Sequence, residues 1–294
     1  MKHVDGHFKG MGGLELYFQS WQPDIAPQAG LVIVPGMGDH SGRYANLVNP
    51  LAEVGIASYA YDLRGFGRSD GKRGHINSWR EYLEDLRLFL EMVRGHLPGT
   101  PLFLFGYSLG TLVVLDHIIR DPQGLQGAVL SGVAVEPAGV GTPMQKLLAN
   151  VLTRITPGLT VDLGGDYTAV TRDEEVIAQL HADPLHHTRV SARWGTECMA
   201  AREWVSCRAA DVHLPVLFVH GDDDRVNLLS GARRYLAEIA CADKTLLTYP
   251  GSRHETHNDL DHAQVAADIR AWILAHLPGY EGAGGLPLEA VTKP

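Results

Sequence analysis

Short apolar runs alternate with longer amphipathic stretches along most of the chain. The short runs predict buried strands, while apolar positions that recur every three or four residues predict helices packed on them. Strands that alternate with helices indicate an α/β protein with a mostly parallel sheet that is covered on both faces. We predict an N-terminal hairpin strand over 14–21, central strands at 31–34, 56–61, 102–105, 127–131, 216–220 and 245–249, and helices at 45–54, 79–97, 228–240 and 261–277.

Between residues 135 and 211 this regular alternation stops, and no strand is predicted until Val216. Apolar residues at helical spacing predict one short amphipathic helix over 144–155. Long insertions between regular units are often lids or binding loops. We therefore divide the chain into a core of 1–134 and 212–280, a helical cap, or lid, of 135–211, and a flexible tail of 281–294. The lid residues expected to line an acyl pocket or touch a membrane are Met144, Leu148, Val151 and Leu152.

Charge and composition narrow the classes of partner. The formal net charge is −9 without a basic block, which argues against nucleic acid and against a polybasic membrane anchor. Three cysteines at uneven spacing suggest neither a disulfide framework nor a zinc site, and His186–His187 is interpreted as solvated surface rather than a metal site. The start has no apolar leader region, so we expect a cytoplasmic protein that contacts membranes at most through the lid.

The stretch Gly106-Tyr107-Ser108-Leu109-Gly110 joins a predicted buried strand to a predicted buried helix. A strand that turns directly into a helix strains the residue at the apex, and larger side chains two positions away would collide. Such a nucleophile elbow presents a serine hydroxyl above the edge of the sheet. We therefore predict that Ser108 is a nucleophile.

A serine nucleophile needs a base, and the base needs a carboxylate that orients it. Two later strands end in loops that carry these residue types: Asp222-Asp223-Asp224 after the first and His254 after the second. The order Ser, Asp, His is the one expected for this architecture. The residues alone leave open which of the three aspartates acts, and His257 and His262 compete weakly with His254.

Several motifs together resemble the α/β-hydrolase superfamily, in its monoacylglycerol lipase and lysophospholipase branch. Residues 35–44, PGMGDHSGRY, resemble that branch's H-G-x-G-E-H-S-G-R-Y, and residues 62–74, DLRGFGRSDGKRG, resemble D-x-R-G-H-G-x-S-x-G-x-R-G. The elbow resembles G-H-S-M-G-G, and Asp183-Pro184-Leu185 resembles a D-P-L in the family's cap. The similarity extends from about Phe8 to Leu277.

The resemblance implies an α/β-hydrolase fold and acyl transfer without a metal or organic cofactor. Residues 221–226 resemble G-x-x-D-R-x, which implies Asp224 as the acid, and residues 251–255 resemble G-x-x-H-E, which implies His254 as the base. The backbone N–H groups of Met37 and Leu109 would form the oxyanion hole. Pro35 stands where the family has His, but a backbone donor does not depend on that side chain.

The function implied is hydrolysis of single-chain lipid esters, above all of monoacylglycerol to fatty acid and glycerol. A lysophospholipase and a broad carboxylesterase are the alternatives within this chemistry. An aminopeptidase would need acidic residues near the pocket to hold an amine, and the sequence places none there. The alternative outside enzymes is a ligand-binding protein on the same fold, because a fold alone does not fix function.

Overall fold

The computed structural model describes residues 1–139 and 143–279, with no side-chain description for 143–148. The tail predicted at 281–294 lies outside the described residues. Within them, no helix has the length and apolar character needed to cross a bilayer.

One eight-stranded sheet forms the centre of the molecule, in the spatial order β1-β2-β4-β3-β5-β6-β9-β10. The N-terminal hairpin of β1 and β2 pairs antiparallel and joins β4 antiparallel. The other six strands of this sheet, β4, β3, β5, β6, β9 and β10, pair in parallel with one another. This confirms the mostly parallel sheet predicted from the pattern. The strands are β1 Lys2–Lys9, β2 Glu15–Gln22, β3 Ala29–Val34, β4 Ile56–Tyr61, β5 Leu102–Tyr107, β6 Leu125–Ser131, β9 Val216–Gly221 and β10 Lys244–Tyr249.

Helices cover both faces of this sheet, and the central strands β3, β4, β5 and β9 are buried along their whole length. Helices α1 and α8 bury apolar side chains against one face, and α2, α3 and α7 do so against the other. The two-sided cover explains why these strands read as continuous apolar runs rather than alternating ones. The helices are α1 Ala45–Ala52, α2 Arg80–His96, α3 Leu109–Arg120, α7 Leu229–Glu238 and α8 His262–Ala275.

The described residues of the segment between β6 and β9 add no strand to the large sheet. It contains α4 Pro143–Ile155, β7 Thr160–Asp162, α5 Glu174–Ala182, β8 Arg189–Ser191 and α6 Ala192–Ser206. The expectation of no strand here is wrong, because β7 and β8 pair antiparallel into a two-stranded sheet. Each strand has only three residues, too few to show an alternating pattern in the sequence.

This segment is fastened to the sheet-bearing part of the chain by polar contacts as well as by packing. The Ser191 N–H donates to the Gly74 carbonyl at 2.8 Å, and the Trp194 indole N–H donates to the Tyr82 hydroxyl at 3.0 Å. His40 Nε2 lies 2.7 Å from an Asp183 carboxylate oxygen. These contacts hold the segment over the carboxyl ends of the parallel strands.

Candidate active site

Ser108 stands between β5 and α3 with φ 50° and ψ −116°, and it is the only non-glycine residue with positive φ among the described residues. The turn closes because the residues two positions before and after Ser108 are glycines. A Cβ on Gly106 would lie 2.7 Å from the Gly110 carbonyl oxygen, and one on Gly110 would lie 2.1 Å from the Val34 carbonyl oxygen. The predicted elbow is therefore present, and the contact with Val34 also brings the loop after β3 against the start of α3.

Ser108 and His254 lie within hydrogen-bond distance, and so do His254 and Asp224. His254 Nδ1 is 2.8 Å from Asp224 Oδ2, and His254 Nε2 is 2.8 Å from Ser108 Oγ. Because an ionised carboxylate only accepts hydrogen bonds, Nδ1 carries the proton and Nε2 is free to accept the serine proton. The arrangement has the geometry of a nucleophile, a base and an orienting acid.

The environment of Asp224 explains why it stays ionised although it is buried. Its Oδ1 accepts the N–H groups of Val226 and Asn227 at 2.8 and 2.9 Å. Its Oδ2 faces His254 at 2.8 Å and His220 at 3.2 Å. Burial alone would raise the pKa of Asp224, but the adjoining imidazoles and hydrogen-bond donors outweigh it and hold the pKa well below the usual range.

The alternatives that the residues left open lie elsewhere. Asp222 accepts the Gly251 N–H, and Asp223 forms an exposed ion pair with Arg225. His257 stacks on Tyr44 at 5.0 Å between ring centroids and has no hydrogen-bond partner in the described part of the chain. His262 Nδ1 contacts the Asp259 carbonyl. Of these candidates, the structure brings only Asp224 and His254 together with Ser108.

The loop after β3 passes directly beside Ser108. A Cβ on Gly36 would lie 3.2 Å from the Cβ of Ser108, and the following residue, Met37, lines the same cavity as Ser108. Within the described residues, neither the Met37 N–H nor the Leu109 N–H donates to another group. Two unpaired backbone donors beside a serine hydroxyl suit a developing oxyanion.

A cavity of about 250 Å³ opens over Ser108 and His254. Part of its wall comes from the segment between β6 and β9, through residues such as Tyr167, Val170 and Leu180. Val151 is exposed and Leu152 is half-buried, and neither is among the described residues that line this cavity. The side chains of Met144 and Leu148 lie outside the described residues. The apolar wall that the structure does describe is therefore built by the turn at 167–170 and by α5.

Three carboxylates line this cavity, which the sequence reading did not anticipate: Asp39, Asp166 and Glu255. Arg43 lies between two of them. Its Nη2 contacts both oxygens of Glu255 at 2.9 and 2.8 Å, and its Nε is 3.0 Å from Asp39 Oδ1. Burial raises the pKa of Asp39 to about 6, while Arg43 outweighs the effect of burial on Glu255 and lowers its pKa. Asp166 is exposed and accepts the Thr168 N–H.

The interpretation of His186 and His187 as solvated surface is wrong. His186 lines the cavity, and burial lowers its pKa to about 4. His187 stacks on Phe66 at 4.9 Å and contacts the Gly65 carbonyl through Nε2. No group of three His, Cys, Asp or Glu side chains among the described residues could hold a metal ion.

The parallel sheet, the elbow at Ser108 and the Ser–His–Asp geometry together define an α/β-hydrolase with a serine-hydrolase site. A family model described as serine aminopeptidase, S33, matches residues 25–261. Because this match covers most of the chain, the protein belongs to that family of α/β-hydrolases, and the predicted fold class and superfamily are confirmed.

Individual relatives and solved structures show which members of the family this chain is similar to. A monoacylglycerol lipase of Mycolicibacterium smegmatis is 35% identical over 92% of this chain and 96% of its own length. Phospholipase YtpA of Bacillus subtilis is 29% identical over 86% of this chain and 97% of its own. The crystal structure of the Paleococcus ferrophilus monoacylglycerol lipase superposes with a TM-score of 0.79 at 32% identity, covering 89% of this chain and 99% of that one.

The buried ring of His257 should make the folding stability of the protein fall at acidic pH. The ring is enclosed without hydrogen-bond partners, and burial lowers its pKa to about 4 even though Glu255 opposes the shift. A histidine with a depressed folded-state pKa contributes stability above its unfolded value near 6.5, and that stability is lost as the pH falls towards 4. We expect this group to remove on the order of 2–3 kcal/mol of folding stability between pH 7 and 4.

The variant His257→Phe keeps the stacked ring and loses no hydrogen bond, so its unfolding free energy should fall less steeply over this pH range. Urea unfolding at pH 7, 5.5 and 4.5 measures the difference, with the exposed His213→Phe as the matched control. Parallel declines in the wild type and in His257→Phe would contradict the argument.

Proposed function

We propose that the protein is a serine hydrolase that cleaves carboxylic esters of single-chain lipids, with monoacylglycerol as the main substrate. The observation that carries the proposal is the unbroken chain of hydrogen-bond distances from Asp224 through His254 to Ser108, at the floor of an open cavity. A ligand-binding protein would have no use for a strained serine held against a base.

In this mechanism, His254 Nε2 takes the proton of Ser108 as Oγ attacks the ester carbonyl. The Met37 and Leu109 N–H groups receive the negative charge that develops on the carbonyl oxygen, and removal of one such donor typically costs about 3 kcal/mol of barrier. His254 then protonates the leaving alcohol. Water hydrolyses the acyl-enzyme with His254 again as the base, while Asp224 stabilises the imidazolium throughout.

The choice of monoacylglycerol rests on the relatives together with the chemistry of the cavity. The relatives similar at 35% and 32% identity are both monoacylglycerol lipases. Because one relative is a phospholipase, lysophospholipids are the alternative substrate. A broad carboxylesterase activity without a lipid preference is the other alternative. The carboxylates of Asp39 and Glu255 already face Arg43, so only the exposed Asp166 is left in the cavity to hold a peptide's free amine. An ion pair with an exposed carboxylate contributes little, and this favours an ester over an aminopeptidase substrate.

We further propose that residues 135–211 act as a cap whose outer surface touches the lipid aggregate that supplies the substrate. Large apolar side chains are exposed along this segment: Val151, Ile155, Leu159, Val161 and Leu163. Exposed apolar residues concentrated on one segment are typical of an interaction surface. Because the net charge is −9, the contact would depend on apolar burial rather than on attraction to anionic lipids.

Purified protein should release fatty acid from monoacylglycerol and should react with a fluorophosphonate probe. Ser108→Ala should lose both activities, since no other group supplies the nucleophile. The control is Ser230→Ala, which changes a serine at the start of α7 outside the cavity and should leave both activities unchanged.

Release of fatty acid and fluorescent labelling by gel give the two readouts. Labelling of the wild type without monoacylglycerol hydrolysis would favour the lysophospholipid or general ester substrates, which are assayed in parallel. Wild-type protein that neither labels nor hydrolyses any ester would contradict the enzymatic proposal and favour ligand binding.

The membrane proposal predicts that Ile155→Asp weakens association with phosphatidylcholine vesicles by about tenfold, because a charge replaces an apolar side chain that is 73% exposed. Hydrolysis of a soluble nitrophenyl ester should be unchanged. The matched control is Ile25→Asp, a 60% exposed isoleucine just before β3, at the other end of the sheet. Vesicle co-sedimentation measures the association, and equal binding of the two variants would contradict the assigned surface.

A further inference from the structure

His220 is a buried titratable residue that the proposed chemistry does not use. It lies at the carboxyl end of β9, paired in register with Thr248, and its side chain is fully enclosed. The next residue, Gly221, is the last of β9, and the loop that follows it carries Asp224. His220 is not among the described residues that line the cavity over Ser108.

The contacts of His220 indicate which ring nitrogen carries the hydrogen. Nε2 is 3.0 Å from the Asn227 carbonyl oxygen and 3.2 Å from Asp224 Oδ2. A carbonyl and an ionised carboxylate can only accept, so Nε2 must carry the hydrogen. Nδ1 is enclosed and has no partner among the described residues. A hydrogen on Nδ1 would be a buried donor without an acceptor, which also favours the tautomer with the hydrogen on Nε2.

The oxygen that His220 faces is the same one that faces His254. Oδ1 of Asp224 is already fixed by two backbone N–H groups, from Val226 and Asn227. Oδ2 lies 2.8 Å from His254 Nδ1 and 3.2 Å from His220 Nε2. The Nε2–H of His220 donates to the Asn227 carbonyl at 3.0 Å and lies close enough to Oδ2 to attract its charge. Among the described residues, the only other side-chain N–H within hydrogen-bond distance of Oδ2 belongs to His254, whose charge changes during the reaction.

We propose that His220 is a positioning residue that acts through Asp224: its Nε2–H, placed between the Asn227 carbonyl and Oδ2, holds Oδ2 in place and shares the carboxylate charge that His254 would otherwise receive alone. The inference rests on the proposed role of Asp224, His254 and Ser108. His220 touches no substrate. Its effect is to keep the carboxylate from rotating away when the imidazolium forms and dissipates.

Two substitutions separate the hydrogen bond from the volume of the ring. In His220→Leu the donor is lost, and we expect kcat on a soluble nitrophenyl ester to fall about tenfold, with KM within about twofold of the wild type. In His220→Gln the side-chain amide N–H can replace Nε2–H, and we expect most of kcat to return. If both variants lose activity equally, or if His220→Leu keeps wild-type kcat, the inference is overturned.

The pH profile supplies a readout that a packing defect would not move. Without the second donor, more of the Asp224 charge acts on His254 and stabilises its imidazolium form. The acid limb of kcat/KM should therefore move to higher pH by about half a unit in His220→Leu and return in His220→Gln. The matched control is His117→Leu, a buried histidine of α3 away from the cavity, which should leave the limb in place.

Wild-type protein offers a test that does not depend on the variants folding. Nitrogen–hydrogen correlation spectra at pH 8 should show the ring hydrogen of His220 on Nε2. A ring whose hydrogen is on Nδ1 instead would overturn the inference. The proposed function fails separately, since it requires wild-type activity and labelling, which none of these outcomes changes.

Discussion

Three side chains from loops far apart in the chain must meet within hydrogen-bond distance at one edge of a sheet, and the rest of the structure serves that requirement. Ser108 follows β5, Asp224 follows β9 and His254 follows β10. Parallel pairing places the carboxyl ends of these strands at one edge. The helices on both faces bury the strands and fix their register, so the loops start from fixed positions.

Close approach between backbone segments then brings the three side chains within hydrogen-bond distance of one another. Gly110 allows the loop after β3 to lie against the start of α3, and Gly221 does the same for the loop that carries His254. A Cβ on Gly221 would lie 2.2 Å from the Ser252 carbonyl oxygen. The positive φ of Ser108 is a strained conformation that persists because this packing leaves no alternative. The two N–H groups of the proposed oxyanion hole come together for the same reason.

Much of this could be predicted because it depends on local signals. The apolar runs predicted the strands of the sheet, and the Gly-x-Ser-x-Gly stretch predicted the elbow at Ser108. Ser78 and Glu81 show the limit of such signals. Their three-residue spacing is that of a capping box, but the Glu81 carboxylate accepts from the Asn77 N–H, and α2 begins at Arg80 with no side-chain cap. In a capping box or in the observed contact, the Glu81 carboxylate satisfies a backbone N–H, so the local sequence does not show which of the two arrangements forms.

The remaining features depend on contacts between distant segments, which have no periodic signature. Asp39 is only four residues from Arg43, but nothing in the sequence indicates that Glu255, which is 212 residues from Arg43, would lie on its other side. The choice of Asp224 among three neighbours came from family resemblance, and the geometry beside His254 supports it. The sequence predicts His220 only as the end of a strand. Its proximity to Asp224 depends on how the loop after β9 folds back, which the sequence pattern does not indicate.

The account depends most on Asp224, and exchanging it for asparagine tests it directly. Asp224→Asn keeps the shape but removes the charge and favours the wrong imidazole tautomer, so the rate of fluorophosphonate labelling should fall by about 10³–10⁴. Asp223→Asn, one residue away, changes an exposed carboxylate and should label at the wild-type rate. Wild-type labelling of Asp224→Asn, or an equal loss in both variants, would contradict the account.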